Sequence, residues 1–226
     1  MYTYLGIAKM IDHSLLKPTL TDDDLEKGCR LALAYDVASV CILPYYLQRC
    51  AFLLTGSNVK ASTTIGFPHG GQKTLIKVAE AKQAIKDGGQ ELDVVVNISK
   101  VLSEDWNYVR DDIKAVTDVT HEFDQKIKVI FENCYLNEAQ KIRLCEICGE
   151  LKVDWVKTST GYGTGGAIDE DLQLMREHSP EFVQVKAAGG VRTLERLLEV
   201  RALGVTRVGA TATAIILDEV KSNLAG

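Results

Sequence analysis

The sequence predicts one α/β domain, a (β/α)₈ or TIM barrel over residues 1–226, on three observations. Short apolar runs alternate with helical stretches from end to end, eight of the first and roughly eight of the second. Several runs are apolar on both faces and stop at glycine turns, the mark of parallel strands covered on both sides. No glycine-rich nucleotide fingerprint follows the first run, which counts against an open doubly wound sheet, the alternative architecture. No linker, low-complexity tract or shift in composition divides the chain.

Met10–Leu15, Ser39–Leu43, Lys60–Gly66 and Glu91–Val96 read as the first four strands, and Ile127–Glu132, Asp154–Ser159, Val183–Ala187 and Arg207–Ala210 as the last four. Between the third and fourth, Thr74–Asp87 carries apolar residues at three- and four-residue spacing and closes on Gly88-Gly89, a helix stop. Asn137–Lys152 reads as an amphipathic helix. Thr193–Leu203 opens on a capping threonine and ends at Gly204.

Composition bounds the function. Apolar residues make up 46% and charged residues 25%, ordinary for a soluble domain with a substantial core. A formal net charge of −5 argues against nucleic acid and against an anionic membrane surface as partners. No run approaches the ~20 apolar residues that cross a bilayer. The segment Met1–Gly6 lacks a basic region followed by an apolar core, so the expected location is cytoplasmic. The six cysteines are expected as thiols, and Cys145-x-x-Cys148, with no second such pair, as helix packing rather than a metal site.

Two lysines carry the chemistry. Lys157 ends Asp154-Trp155-Val156-Lys157 and Lys186 ends Val183-Gln184-Val185-Lys186. An ammonium in a buried strand must be desolvated, paired or used. Desolvation and a neighbouring cation both lower a lysine's pKa, which frees the lone pair to attack a carbonyl. Two lysines ~7 Å apart at an effective dielectric of ~20 repel by ~2.4 kcal/mol, about 1.7 pKa units. The plainer alternative is a pair of solvated strand-end lysines.

Barrel chemistry sits at the carboxyl ends of the strands. Those positions also hold Asp12, Cys41, Asp93 and Glu132. Asp93 lies between Leu92 and Val94-Val95-Val96, and a buried carboxylate needs a partner, which either lysine supplies. It reads otherwise as a structural salt bridge, and Cys41 as a small core residue. Gly189-Gly190-Val191-Arg192 and Gly209-Ala210-Thr211 follow the last two strands, where backbone N–H groups cradle phosphate in this barrel. Gly161–Gly166 is placed to close over a ligand.

These residues resemble the deoxyribose-phosphate aldolase family, lysine-dependent (class I) aldolases. The resemblance runs through Ile11–Pro18, Ala38–Cys41, Gly66–Pro68, Glu91–Val95, Lys128–Leu136, Val156–Gly161 and Lys186–Thr193, nearly the whole chain. It implies reversible cleavage of 2-deoxyribose 5-phosphate to glyceraldehyde 3-phosphate and acetaldehyde, with no cofactor and no metal. It further implies Lys157 as the Schiff-base lysine, Lys186 as the second lysine that lowers its pKa, and Asp93 as the proton-relay aspartate. Substrate contacts are expected from Asp12, Cys41, Thr158, Gly161, Gly189, Gly190, Arg192, Gly209 and Thr211. The partners expected are small-molecule sugar phosphates and aldehydes, and the assembly a homodimer.

Two departures stand out. Family members usually carry a pair of serines after the last strand's glycine, where this chain has Thr211 and Ala212, so a serine at 212 is expected to strengthen phosphate binding. The tail with a terminal tyrosine that some members use in proton transfer has no counterpart in Asn223–Gly226. A non-covalent isomerase or lyase using Asp93 or Glu132 as base, an aldolase for another sugar phosphate, and a barrel that only binds a metabolite are the alternative readings.

Overall fold

The apolar runs pair in sequence order and close on themselves. The computed structural model describes residues 2–225, so expectations placed on Met1 and Gly226 lie outside the described residues. The strands are β1 (Ile11–Leu15), β2 (Ser39–Ile42), β3 (Lys60–Ile65), β4 (Glu91–Val95), β5 (Lys126–Ile130), β6 (Trp155–Lys157), β7 (Gln184–Ala188) and β8 (Val205–Ala210). All neighbours are parallel, and β8 returns to β1 through the register Asp12↔Gly209. The helices are α1 (Tyr4–Ala8), α2 (Asp22–Tyr35), α3 (Leu47–Leu53), α4 (Thr74–Lys86), α5 (Ile98–Leu102), α6 (Trp106–Glu122), α7 (Glu138–Glu150), α8 (Asp169–Glu177), α9 (Leu194–Ala202) and α10 (Thr213–Ala225). No described helix is long and apolar enough to cross a membrane.

Local chemistry explains the helix starts. Thr21 and Asp24 form a reciprocal capping box on α2, as do Asn137 and Gln140 on α7. The Thr193 hydroxyl accepts from Arg196 N, as its place before α9 suggested. Strand ends differ more from the sequence reading. β5 stops at Ile130, because Glu132 turns into the left-handed region at φ 58°. β6 is three residues long, although Thr158 N still donates to Lys186 O at 3.2 Å. β8 begins two residues early, at Val205, directly after Gly204 at φ 90°.

Alternate strand residues divide the molecule into two interiors. Ile11, Val40, Leu92, Val129, Val156 and Val208 join the helices in one buried apolar layer around the barrel. Cys145 and Cys148 are buried in α7 within that layer, and all six cysteines are free thiols. The inside of the barrel is polar. Lys128 on β5 lies 3.7 Å from Asp12 on β1, a contact possible only across the barrel. Barrels of this type usually fill that space with branched aliphatic side chains, so polar filling marks a site.

Two buried ionisable groups belong to the scaffold. Lys77 on α4 is fully buried and donates to Asp112 Oδ2 on α6 at 2.6 Å and to Val95 O at 2.8 Å. Removing one partner strands a buried charge, so Asp112→Ala is expected to cost about 3–5 kcal/mol in denaturant unfolding, and far less when Lys77→Met accompanies it. His13 on β1 is held to Thr213 at the start of α10, Nδ1 to Oγ1 2.9 Å. Burial pushes its imidazole down to about 4 from 6.5. The unfolded chain therefore takes up a proton below pH 6.5 that the folded one refuses until about 4. The stability of neutral His13 is complete above pH 6.5 and fades as pH falls toward 4. His13→Gln is expected to remove up to about 3 kcal/mol of that acid dependence between pH 7 and 4, read from unfolding midpoints.

Candidate active site

Inside the barrel, charged side chains meet in a closed ring of alternating sign. Arg207 Nη1 donates to Asp12 Oδ1 at 2.6 Å, and Asp12 Oδ2 accepts from Lys186 at 2.5 Å. Lys186 reaches Asp93 Oδ2 at 2.8 Å, and Asp93 Oδ1 accepts from Lys128 at 2.9 Å. Lys128 then donates to Glu91 Oε2 at 2.6 Å, which returns to Arg207 at 2.9 Å. Ser39 donates to Asp12 Oδ1 at 2.7 Å, and the Trp155 ring lies 4.9 Å from the Arg207 guanidinium. Three carboxylates and three cations make the ring neutral. Lys157 is a fourth cation attached from outside, 2.7 Å from the same Asp93 oxygen that Lys186 uses.

Burial presses on Lys157, Lys186, Lys128, Arg207, Asp12 and Asp93, and the neighbours decide who yields. Burial pulls Lys157 below the ordinary lysine range; Asp93 opposes this and the Lys186 charge adds to it. The same burial acts on Lys186, but Asp12 and Asp93 outweigh it and hold the ammonium above its ordinary value. Lys128 and Arg207 are likewise kept charged against burial by the carboxylates beside them. Burial would raise Asp12, and Arg207 and Lys186 overcome it; Lys128, Lys157 and Lys186 do the same at Asp93, so both stay well below the usual carboxylate range. Lys157 is the one cation of the network that shifts toward the free amine. The sequence reading named both desolvation and a neighbouring cation, and desolvation is the larger of the two.

A cavity of about 370 Å³ opens above the network at the carboxyl ends of the strands. Of the seven charged groups only Lys157 lines it. Gly161, Gly189, Gly190, Arg192, Gly209 and Thr211 line it as the sequence suggested. Gly189 is at φ 83°, and a Cβ there would come within 2.9 Å of Gly166 Cα, where the loops after β6 and β7 cross. Asp12, Asp93 and Lys186 form the layer beneath and do not line the cavity.

Several expected contacts fall elsewhere. Thr158 spends its hydroxyl on β7, donating to Ala188 O at 3.2 Å and accepting from Ala188 N at 3.1 Å. Cys41 is buried beside the network, and burial pushes its thiol up, away from the reactive thiolate. Glu132 accepts from Thr160 N at 3.1 Å and from the Thr160 hydroxyl, which anchors the loop after β6. Neither Glu132 nor Asp93 lines the cavity. Ala212 packs against the apolar layer rather than lining the cavity. The expectation for a serine there is corrected accordingly: Ala212→Ser should leave the Michaelis constants for phosphorylated and free sugar alike unchanged.

Sequence reasoning passed over Ser14, Lys17, Thr160 and Tyr162, all cavity residues, and the ring members Lys128, Glu91 and Arg207. The signal for the ring was Glu91-Leu-Asp93 and Lys126-Ile-Lys128, charges at strand period in apolar runs. Tyr162 lies in the loop expected to close over a ligand. Its hydroxyl donates to Leu16 O across the cavity mouth, and its ring stands edge-on to Phe67 with centroids 5.4 Å apart.

A buried lysine shifted toward the free amine, opening on a glycine-rimmed cavity in a (β/α)₈ barrel, defines a class of lysine-based carbonyl chemistry. Residues 7–214 match the DeoC/LacD family aldolase, and the chain belongs to that family. A deoxyribose-phosphate aldolase of Rhodopirellula baltica is 69% identical over 99% of this chain and 92% of its own. Another, from Thermococcus kodakarensis, is 44% identical over 94% of this chain and 96% of its own. Among solved structures, the tetrameric deoxyribose phosphate aldolase of Aeropyrum pernix superposes with a TM-score of 0.90 at 26% identity, covering 98% of this chain and 93% of that one.

Proposed function

We propose that this chain is a class I aldolase that reversibly cleaves 2-deoxyribose 5-phosphate to glyceraldehyde 3-phosphate and acetaldehyde. One observation carries the reading: Lys157 alone of the charged network reaches the cavity, and burial pulls it below the ordinary lysine range. The Lys157 nitrogen attacks the aldehyde carbon of the open-chain sugar, and loss of water leaves a protonated imine. That cation accepts the electron pair of the breaking carbon–carbon bond. The proton leaves the 3-hydroxyl and later returns to the enamine carbon, and Asp93, whose Oδ2 bridges Lys157 and Lys186, supports its transfer. Gly189, Gly190 and Gly209, with Thr211 and Arg192, form the rim that faces the phosphate.

Acetaldehyde release from 2-deoxyribose 5-phosphate, assayed with and without a chelator, tests the proposal. Release that chelator does not change is expected. No release, or release that chelator abolishes, would overturn it. A homodimer in the cytoplasm completes the proposal, with the largely exposed Tyr45 and Phe52 as apolar surface for a second copy to cover. Sedimentation equilibrium at micromolar concentration should give twice the chain mass, and a monomer would remove the dimer.

A further inference from the structure

The two sides of the charged ring stand in different relations to Lys157. On one side Asp93 touches it directly, and Lys186 shares the same oxygen. On the other, Glu91 and Arg207 touch neither Lys157 nor the cavity. We propose that Glu91 and Arg207 are positioning residues that set the protonation of Lys157 from across the barrel, by holding the ring at zero net charge. The inference deepens the reading of Lys157 as nucleophile and rests on it.

Each ring carboxylate already holds at least two ring cations: Asp12 has Arg207 and Lys186, with Lys128 at 3.7 Å, Glu91 has Arg207 and Lys128, and Asp93 has Lys128 and Lys186. A charged Lys157 would be a third cation on Asp93, with no anion left to compensate it. Among the described residues no other charged side chain pairs with the ring. β2 supplies the neutral Cys41 thiol, and β3 supplies Ser62 and Thr64, whose buried hydroxyls make no hydrogen bond among the described residues. Neutralising Arg207 leaves the ring at −1, and a proton on Lys157 restores balance. Neutralising Glu91 leaves it at +1, and Lys157 becomes still harder to protonate. A unit charge about ten ångströms away, at an effective dielectric of ~20, moves a pKa by about one unit.

The test follows the pH dependence of reductive trapping of acetaldehyde by cyanoborohydride, read as the ethyl adduct on the Lys157 peptide. Arg207→Met should move the midpoint up by about one pH unit and Glu91→Gln down by about one. Arg207→Lys and the double variant R207M/E91Q, both charge-conserving, should return it to the wild-type position. A merely structural role would lower the yield of folded enzyme without moving the midpoint. If R207M does not fold, the downward shift in E91Q and its return in the double variant carry the test. Unmoved midpoints, or shifts in the same direction for the two single variants, would overturn the inference. Failure of the wild-type chain to form any adduct would instead overturn the nucleophile reading, so the two failures are distinguishable.

Discussion

Acetaldehyde or substrate with borohydride leaves a reduced adduct on Lys157 and inactivates the enzyme: this is the result expected of the site, and peptide mass mapping checks it. The expectation rests on a fully buried amine, shifted toward neutrality by desolvation, that opens on the cavity at Gly161, Gly189 and Gly209. Lys157→Met should abolish the adduct and lower turnover by roughly 10⁴-fold or more, the scale of losing a covalent nucleophile. The variant should still fold, because the neutral ring beneath does not need Lys157 for its charge balance. Inactivation without an adduct, or an adduct confined to surface lysines, would reject the Schiff base.

Lys186→Leu should lower the rate at neutral pH by at least a hundredfold, since positioned acid–base groups contribute about 10²–10⁴. The sequence argument for this rested on repulsion: remove one cation and the other lysine regains its proton. The ring supplies a stronger reason with the same sign. Without Lys186, the carboxylates Asp12, Glu91 and Asp93 face only Lys128 and Arg207, and Lys157 becomes the cation that balances them. Its pKa therefore rises, the acid limb of kcat/KM moves to higher pH, and part of the lost rate returns there. A pH profile that keeps its wild-type position while the rate falls would assign Lys186 to proton transfer alone.

Much of the fold was legible in the chain. Strands buried on both faces must be apolar at nearly every position, so the eight runs stand out, and Thr193 and Gly88 mark helix ends by chemistry confined to a few residues. Strand ends were less legible. Whether Glu132 continues β5 or turns left-handed depends on its bond to Thr160, 28 residues away. Lys157, Lys186 and Asp93 were recognisable because a charge inside an apolar run conflicts with local burial, and such conflict points to function. Ala212 was misplaced because one position along a turn decides between cavity and core, and composition does not report that rotation.

By itself, then, the sequence determined the barrel and singled out Lys157, Lys186, Asp93 and the glycine turns after the last strands. Each follows from local periodicity or from a residue at odds with its neighbours, while their roles came from the resemblance to the aldolase family. Only the tertiary structure showed that Lys157 lines the cavity while Lys186 lies beneath it. It also decided that Lys128, Glu91 and Arg207 belong with them. Those three lie on β5, β4 and β8, and they meet because the sheet closes and turns alternate side chains into one low-dielectric space. Charge in such a space is settled by the sum of the partners, and that sum exists only once the barrel has closed.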